Sequence, residues 1–330
     1  MNIIGAVDIG GTKIAVGAVS ETGAILCRLE CPTATDRGPA AALHSAAAML
    51  REAGRRAGVQ YAGVGVACPG PLDPFTGIVG EVGTLPGWNG CDIVAELSRE
   101  FGVRVVVEND ADAAALAEAR WGHAAQDGNL IYVTVSTGIG AGIILSGELY
   151  RGVGGAHPEI GHQVLDDSGP RCYCGARGCW ESLASGPALE AWVREQRHNG
   201  SDLTAEQICA LARSGDELAR RAVQRESHYL GLGLANLITI FAPEVIVLGG
   251  GVMQSADLFL DGLRAVIRDI ATQVPAAKTR IVLSSLGSDT ALAGAAMGWI
   301  HRSHKETEGS SNPFLDERSG QSTIPDFRDG

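Results

Sequence analysis

The chain has 330 residues, 45% of them hydrophobic and 19% charged, a balance that excludes a disordered chain and suits about two globular domains. Its 26 Lys and Arg against 38 Asp and Glu give a net charge of −12, which argues against a broad polyanion-binding surface and against nucleic acid as the main partner. The most apolar stretch, 231–243, is too short to span a bilayer, and no basic leader precedes Asp8, so a cytoplasmic protein without a membrane partner is expected.

In chain order, residues 3–7 read as a buried strand, followed by Asp8-Ile9-Gly10-Gly11-Thr12-Lys13 and a second strand over 14–19. A third strand is predicted at 24–31. An Ala-rich helix over 40–56 sets Leu43, Ala47 and Leu50 on one face. Short buried strands at 64–67 and 104–107 continue an α/β alternation, in which helices cover a sheet. The opening pattern then recurs, with a strand at 130–135, a glycine turn over 136–142 and a returning strand at 143–145, an internal duplication of a glycine-turn hairpin. A helix-rich region spans 188–241, and a strand at 245–248 ends in Gly249-Gly250-Gly251. A helix around 258–271, a strand at 280–283 and an Ala-rich helix at 289–300 close the ordered fold. Residues 303–330, rich in Ser, Gly and charge, are expected to be a mobile tail.

The two glycine hairpins, carrying Thr12 and Thr137, either offer backbone N–H groups and hydroxyls to a phosphate chain or are ordinary turns. Asp8 ends a buried strand beside the first hairpin, poorly placed for packing and well placed to hold a hydrated Mg²⁺. Neither hairpin has the Walker spacing or the dinucleotide Gly-x-Gly-x-x-Gly. Asp110, after the strand at 104–107, either projects into a cleft or caps a helix at 111–119. Of the 8 cysteines, Cys172, Cys174 and Cys179 crowd into one loop with His162 upstream. Three thiolates and one imidazole fill a tetrahedral Zn²⁺ with no open position, which describes a structural site.

The motifs Asp8-Ile-Gly-Gly-Thr-Lys, Glu108-Asn-Asp-Ala-Asp, Ser136-Thr-Gly-Ile-Gly, Glu159-Ile-Gly-His and Cys172-x-Cys-Gly-x-x-Gly-Cys-x-Glu, in this order, resemble the ROK family of sugar kinases, repressors and open reading frames. The resemblance runs from Asn2 to about Arg302. It implies an actin-like, ribonuclease-H-like two-domain ATPase fold with a central cleft. The expected division is a small domain of 1–110 with the helix 288–302, and a larger one of 111–287. Asp110 is then the catalytic base of an ATP-dependent hexose kinase, and Gly70, Asn89, Asn109, Glu159, His162 and Glu181 hold the sugar. His162 would share its two ring nitrogens between zinc and sugar. Asp8, Gly10, Gly11, Thr12, Lys13, Thr137 and Gly138 would surround phosphate and Mg²⁺, with adenosine against Gly249, Gly250 and Gly251. Glu108 and Asp112 are assigned to the local scaffold.

The resemblance implies a dimer and names glucose first. Ala156-His157-Pro158-Glu159, however, replaces the small pair found before this Glu in many family glucokinases and resembles fructokinase-like members. Fructose, mannose and N-acetylhexosamines therefore remain alternatives. A sugar-responsive repressor or non-catalytic sensor is a rival of another class. Repressors of the family add an N-terminal helix-turn-helix, for which a first strand at Ile3 leaves no room here.

Overall fold

The computed structural model describes residues 2–197 and 202–307. The N-terminal apolar run forms β1 (Ile3–Ile9), which turns into β2 (Lys13–Ser20) and then β3 (Ile25–Pro32). Helix α1 (Gly38–Ala57) buries Leu43, Ala47 and Leu50 and stops at Gly58, whose φ of 68° favours glycine. Strand β4 (Gly63–Cys68), helix α2 (Ile93–Phe101) and strand β5 (Val105–Asn109) complete this half. The sheet order is β3-β2-β1-β4-β5, with β1, β4 and β5 parallel. Helix α2 was not anticipated. The Asp92 carboxylate starts it by accepting from the Ala95 N–H at 2.8 Å.

Helix α3 (Asp110–Trp121) leads into β6 (Leu130–Val135), β7 (Ile139–Leu145) and β8 (Glu148–Leu149). Helices α4 (Trp180–Ala184), α5 (Gly186–Gln196), α6 (Ala205–Ser214) and α7 (Glu217–Phe241) follow, so the helix-rich region begins before residue 188. Strand β9 (Val245–Gly249), helix α8 (Ala256–Ile270), strand β10 (Arg280–Leu283) and helix α9 (Thr290–Thr307) end the described chain. The second sheet runs β10-β9-β6-β7-β8, with β6, β9 and β10 parallel and the β6–β7–β8 run antiparallel. Each sheet is thus an antiparallel three-strand run extended by two parallel strands, and the duplication read in the hairpins covers both whole sheets.

Two expectations are corrected. The glycine turn occupies only residues 136–138, because β7 already begins at Ile139. A Cβ on Gly142 would lie 2.3 Å from the Ala111 carbonyl oxygen, so this glycine admits helix α3 against the strand. Helix α9 continues through Thr307 and takes in 303–307 of the expected tail, while 308–330 lie outside the described residues.

Helices α3 and α9 pack on each other in a core between the sheets, built from Ala113, Ala114, Leu292, Ala295 and Ala296 with Ile4, Leu130 and Val245. Small side chains permit this. A Cβ on Gly294 would meet the Ala113 carbonyl oxygen at 2.3 Å, and one on Gly65 the Ala295 carbonyl oxygen at 1.8 Å. The outer faces form separate cores, one under α1 and α2, the other under α5 to α8. Fully buried Ile9, Ile14 and Leu50 each contribute roughly 1.5–3 kcal/mol relative to exposure. Among the described residues no helix is long and apolar enough to cross a membrane.

Candidate active site

Parallel pairing brings the first group of residues to one sheet edge. Asp8 is paired with Ala67, Ala67 with Glu108 and Cys68 with Asn109, so Asp8, the loop at Gly70 and the start of α3 emerge side by side. The Asn109 side-chain oxygen caps α3, accepting from the Ala111 N–H at 2.9 Å and the Asp112 N–H at 3.3 Å. Its amide nitrogen remains. A Cβ on Gly70 would stand 3.2 Å from that nitrogen and 3.5 Å from Glu159 Oε1, so Gly70 leaves open the space where Asn109 and Glu159 converge. Asp110 opens the helix without being its main cap. Its Oδ1 takes the Ala111 N–H at 2.9 Å.

Burial pushes Asp8 up to about 7, helped by the nearby charge of Asp110 and opposed by Lys13 and Arg28. Burial likewise raises Asp110, opposed first by the charge of His157.

The first hairpin is closed by the Gly10 N–H donating to the Lys13 carbonyl at 2.9 Å, while Thr33 Oγ1 donates to the Gly10 carbonyl at 2.6 Å. A Cβ on Gly11 would meet the Thr84 carbonyl oxygen at 2.7 Å, which explains glycine there. Thr12 is exposed at the tip. Lys13 turns to the surface, its Nζ 3.5 Å from Glu30. Asn89 stands exposed on a loop anchored by the buried Trp88, and no described contact joins it to Gly70, Asn109 and Glu159.

The second hairpin and the triple glycine meet at the corresponding edge of the other sheet, where Thr134 pairs with Gly249. Gly250 adopts a φ of 91°, and a Cβ there would lie 2.3 Å from the Val135 carbonyl oxygen. A Cβ on Gly251 would reach Ser136 Oγ at 3.6 Å. The loop carrying Thr137 and Gly138 therefore lies against bare backbone from Gly250 and Gly251.

His162, Cys172, Cys174 and Cys179 come together with all four ligand atoms within 4.8 Å of one another. His162 Nδ1 is 3.6 Å from Cys172 Sγ, and the sulfurs of Cys174 and Cys179 are 3.6 Å apart. Tetrahedral Zn²⁺ implies sulfur–nitrogen edges of about 3.6 Å and sulfur–sulfur edges of about 3.8 Å, so the residues fit the metal. Gly175 and Gly178, at φ of 97° and 67°, make the tight turns between the cysteines. Glu181 links this loop to the second hairpin, its Oε1 3.5 Å from His162 Nδ1 and its Oε2 2.8 Å from where a Gly138 Cβ would be.

Several site residues escaped sequence reasoning. The Tyr173 hydroxyl lies 3.1 Å from His162 Nε2, the nitrogen expected to meet sugar, with the ring edge-on to the imidazole. Its position between two cysteines was a usable signal. Thr33 and Thr84 reach the first hairpin only through tertiary packing, and nothing local marks them. Glu108 and Asp112 do serve the scaffold, through Arg151, Arg302 and His157.

Several known proteins are similar to this chain over most of its length. The chain is 32% identical over 308 residues to a glucokinase of Thermotoga maritima, covering 90% of this chain and 96% of the relative. The crystal structure of a ROK hexokinase from Thermus thermophilus superposes with a TM-score of 0.81 at 35% identity, over 92% of this chain and 99% of that one. A ROK glucokinase from Streptomyces griseus, in complex with glucose and AMPPNP, gives 0.79 at 31% identity, over 89% and 98%. A xylose repressor of Bacillus subtilis is 34% identical over 232 residues, covering 70% of this chain and 59% of the repressor. The ROK family model matches residues 4–302, and with the actin-like two-domain fold of its structural neighbours the chain belongs to the ROK family.

Proposed function

We propose that the chain is an ATP-dependent hexose kinase that transfers the γ-phosphoryl group to the 6-hydroxyl of glucose, with Asp110 as general base. The observation that carries this reading is the convergence of Asn109 and Glu159 on the space above Gly70, beside the buried pair Asp8 and Asp110. Phosphoryl transfer asks the protein chiefly to position the nucleophile and stabilise charge on phosphate oxygens. The Asn109 amide donates to a sugar hydroxyl, while Glu159 and Glu181 accept from others and His162 presents its Nε2. Asp110 takes the proton of the attacking hydroxyl as the new oxygen–phosphorus bond forms and the bond from the γ-phosphorus to the bridging oxygen breaks, with ADP as the leaving group.

The backbone of residues 10–12 and 136–138 receives the phosphate chain, and adenosine lies against Gly249, Gly250 and Gly251. Asp8 would hold a hydrated Mg²⁺, which would supply positive charge beside the phosphate oxygens. Zinc, when bound by His162, Cys172, Cys174 and Cys179, orders the loop between Glu159 and Glu181 and has no open position for chemistry. Residues 1–110 with 288–302 form the smaller unit and 111–287 the larger, closing on a cleft. The enzyme acts in the cytoplasm, as a homodimer.

Support for ATP and glucose comes from the Streptomyces griseus relative, whose structure holds glucose and AMPPNP. His157-Pro158 keeps fructose, mannose and N-acetylhexosamines as alternatives, and the likeness to xylose repressors keeps a sugar sensor as rival. Coupled ADP-release assays across glucose, mannose, fructose, N-acetylglucosamine and N-acetylmannosamine decide among them. Glucose should give the highest kcat/KM. Preference for another hexose corrects the substrate alone, whereas sugar binding without ADP release from any sugar establishes the sensor.

A further inference from the structure

His157 occupies a position that the catalytic scheme above leaves unused. It is 9% exposed and lies in the loop after β8, with Nδ1 2.9 Å from Asp112 Oδ1. Asp112 is fully buried in α3, and a carboxylate so placed requires a partner. Arg151 stands farther from it, at 3.4 Å, and is also engaged by Glu108. Glu108 in turn pairs with Arg302 Nε of α9 at 2.7 Å. His157 is therefore the closer counter-charge of Asp112, within a buried network that joins β5, α3, α9 and the sugar-facing loop.

The sequence offsets give this contact its consequence. Asp112 lies two residues after the base Asp110 on the same helix, and His157 lies two residues before Glu159. Only Pro158 separates His157 from that sugar carboxylate, and its ring fixes the intervening φ. Anchoring the imidazole on Asp112 thus fixes Glu159 relative to Asp110.

We propose that His157 is a positioning residue that clamps the sugar-facing loop onto the catalytic helix through its buried contact with Asp112. This rests on Asp110 being the base of a sugar kinase. Burial works against charge on the imidazole. The hydrogen bond and charge of Asp112, joined by the charges of Glu159 and Asp110, outweigh burial and hold His157 above the ordinary histidine value. Reciprocally, the His157 charge acts to lower Asp110 against its burial. The other charged groups around the pair are Asp8 on β1, Arg151 in the loop, Glu108 on β5 and Arg302 on α9, with His301 of α9 sensing both Glu108 and Arg151.

Binding and turnover separate this clamp from a merely structural role. His157→Ala removes the anchor of Glu159 and should raise the sugar KM by about two- to tenfold with the ATP KM little changed. His157→Gln keeps a donor for Asp112 and should restore most of the sugar affinity. A histidine NMR titration of the intact protein adds a readout independent of turnover. The His157 ring should titrate above free histidine in the wild type and lose that elevation in Asp112→Asn.

An active wild type whose sugar KM is unchanged in His157→Ala overturns the inference and leaves the kinase reading intact. An ordinary histidine titration of His157 in the wild type overturns it as well. A wild type unable to phosphorylate any sugar removes the kinase reading, and this inference falls with it.

Discussion

Asp110 and Tyr173 show how single side chains acquire roles from what surrounds them. Asp110 is not the main cap of its helix, because Asn109 takes both the Ala111 and the Asp112 N–H groups while Asp110 shares only the first. Tyr173, 77% exposed, sets its hydroxyl on His162 Nε2, and the charges of Glu181 and Glu159 both act on it. On the proposed reading, this phenol hydroxyl occupies the place of a sugar hydroxyl. Tyr173→Phe deletes the competing hydroxyl and keeps the ring edge against His162. Since one hydrogen bond is worth about 0.5–1.5 kcal/mol net, the sugar KM should fall by about two- to tenfold with kcat little changed. A raised KM would mean that the hydroxyl binds the sugar instead of vacating its place.

At the scale of elements, the loop from His162 to Cys179 and the two hairpins stand on one α/β frame. The loop from His162 to Cys179 has little apolar core of its own, whereas the sheets carry three buried clusters. Metal loss should therefore disorder the loop first. Purified protein should contain about one zinc per chain, and Cys174→Ala should lose both zinc and sugar binding while keeping most helical circular dichroism. Full sugar phosphorylation by zinc-free protein would refute the link between metal and substrate. Much of this level was legible beforehand. Buried apolar strands, the repeated glycine turns and the Cys and His spacing are local patterns; the strands and the Cys and His cluster lie where their residues predict, and the second turn is shorter than read. Gly142 was misread because its reason, the close approach of Ala111, lies across the fold. Helix α2 was missed because its start depends on the Asp92 cap within an otherwise turn-rich stretch.

Over the whole molecule, two sheets of matching strand order are joined by α3 and α9, with small residues letting the helices approach closely. Asp8 and Asp110 end one sheet edge, and residues 136–138 and 249–251 lie at the corresponding edge of the other. That placement was legible only in part, since motif order gives the parts and not their convergence above Gly70 or the His157 network. The proton transfer at the centre of the scheme depends on the carboxylate of Asp110. The direct measurement is steady-state sugar phosphorylation by Asp110→Asn beside the wild type, with sugar binding followed by calorimetry on the same samples. Binding should persist nearly unchanged while kcat falls by at least about 10²-fold, the loss expected for an absent general base. Turnover near the wild-type rate would contradict the account.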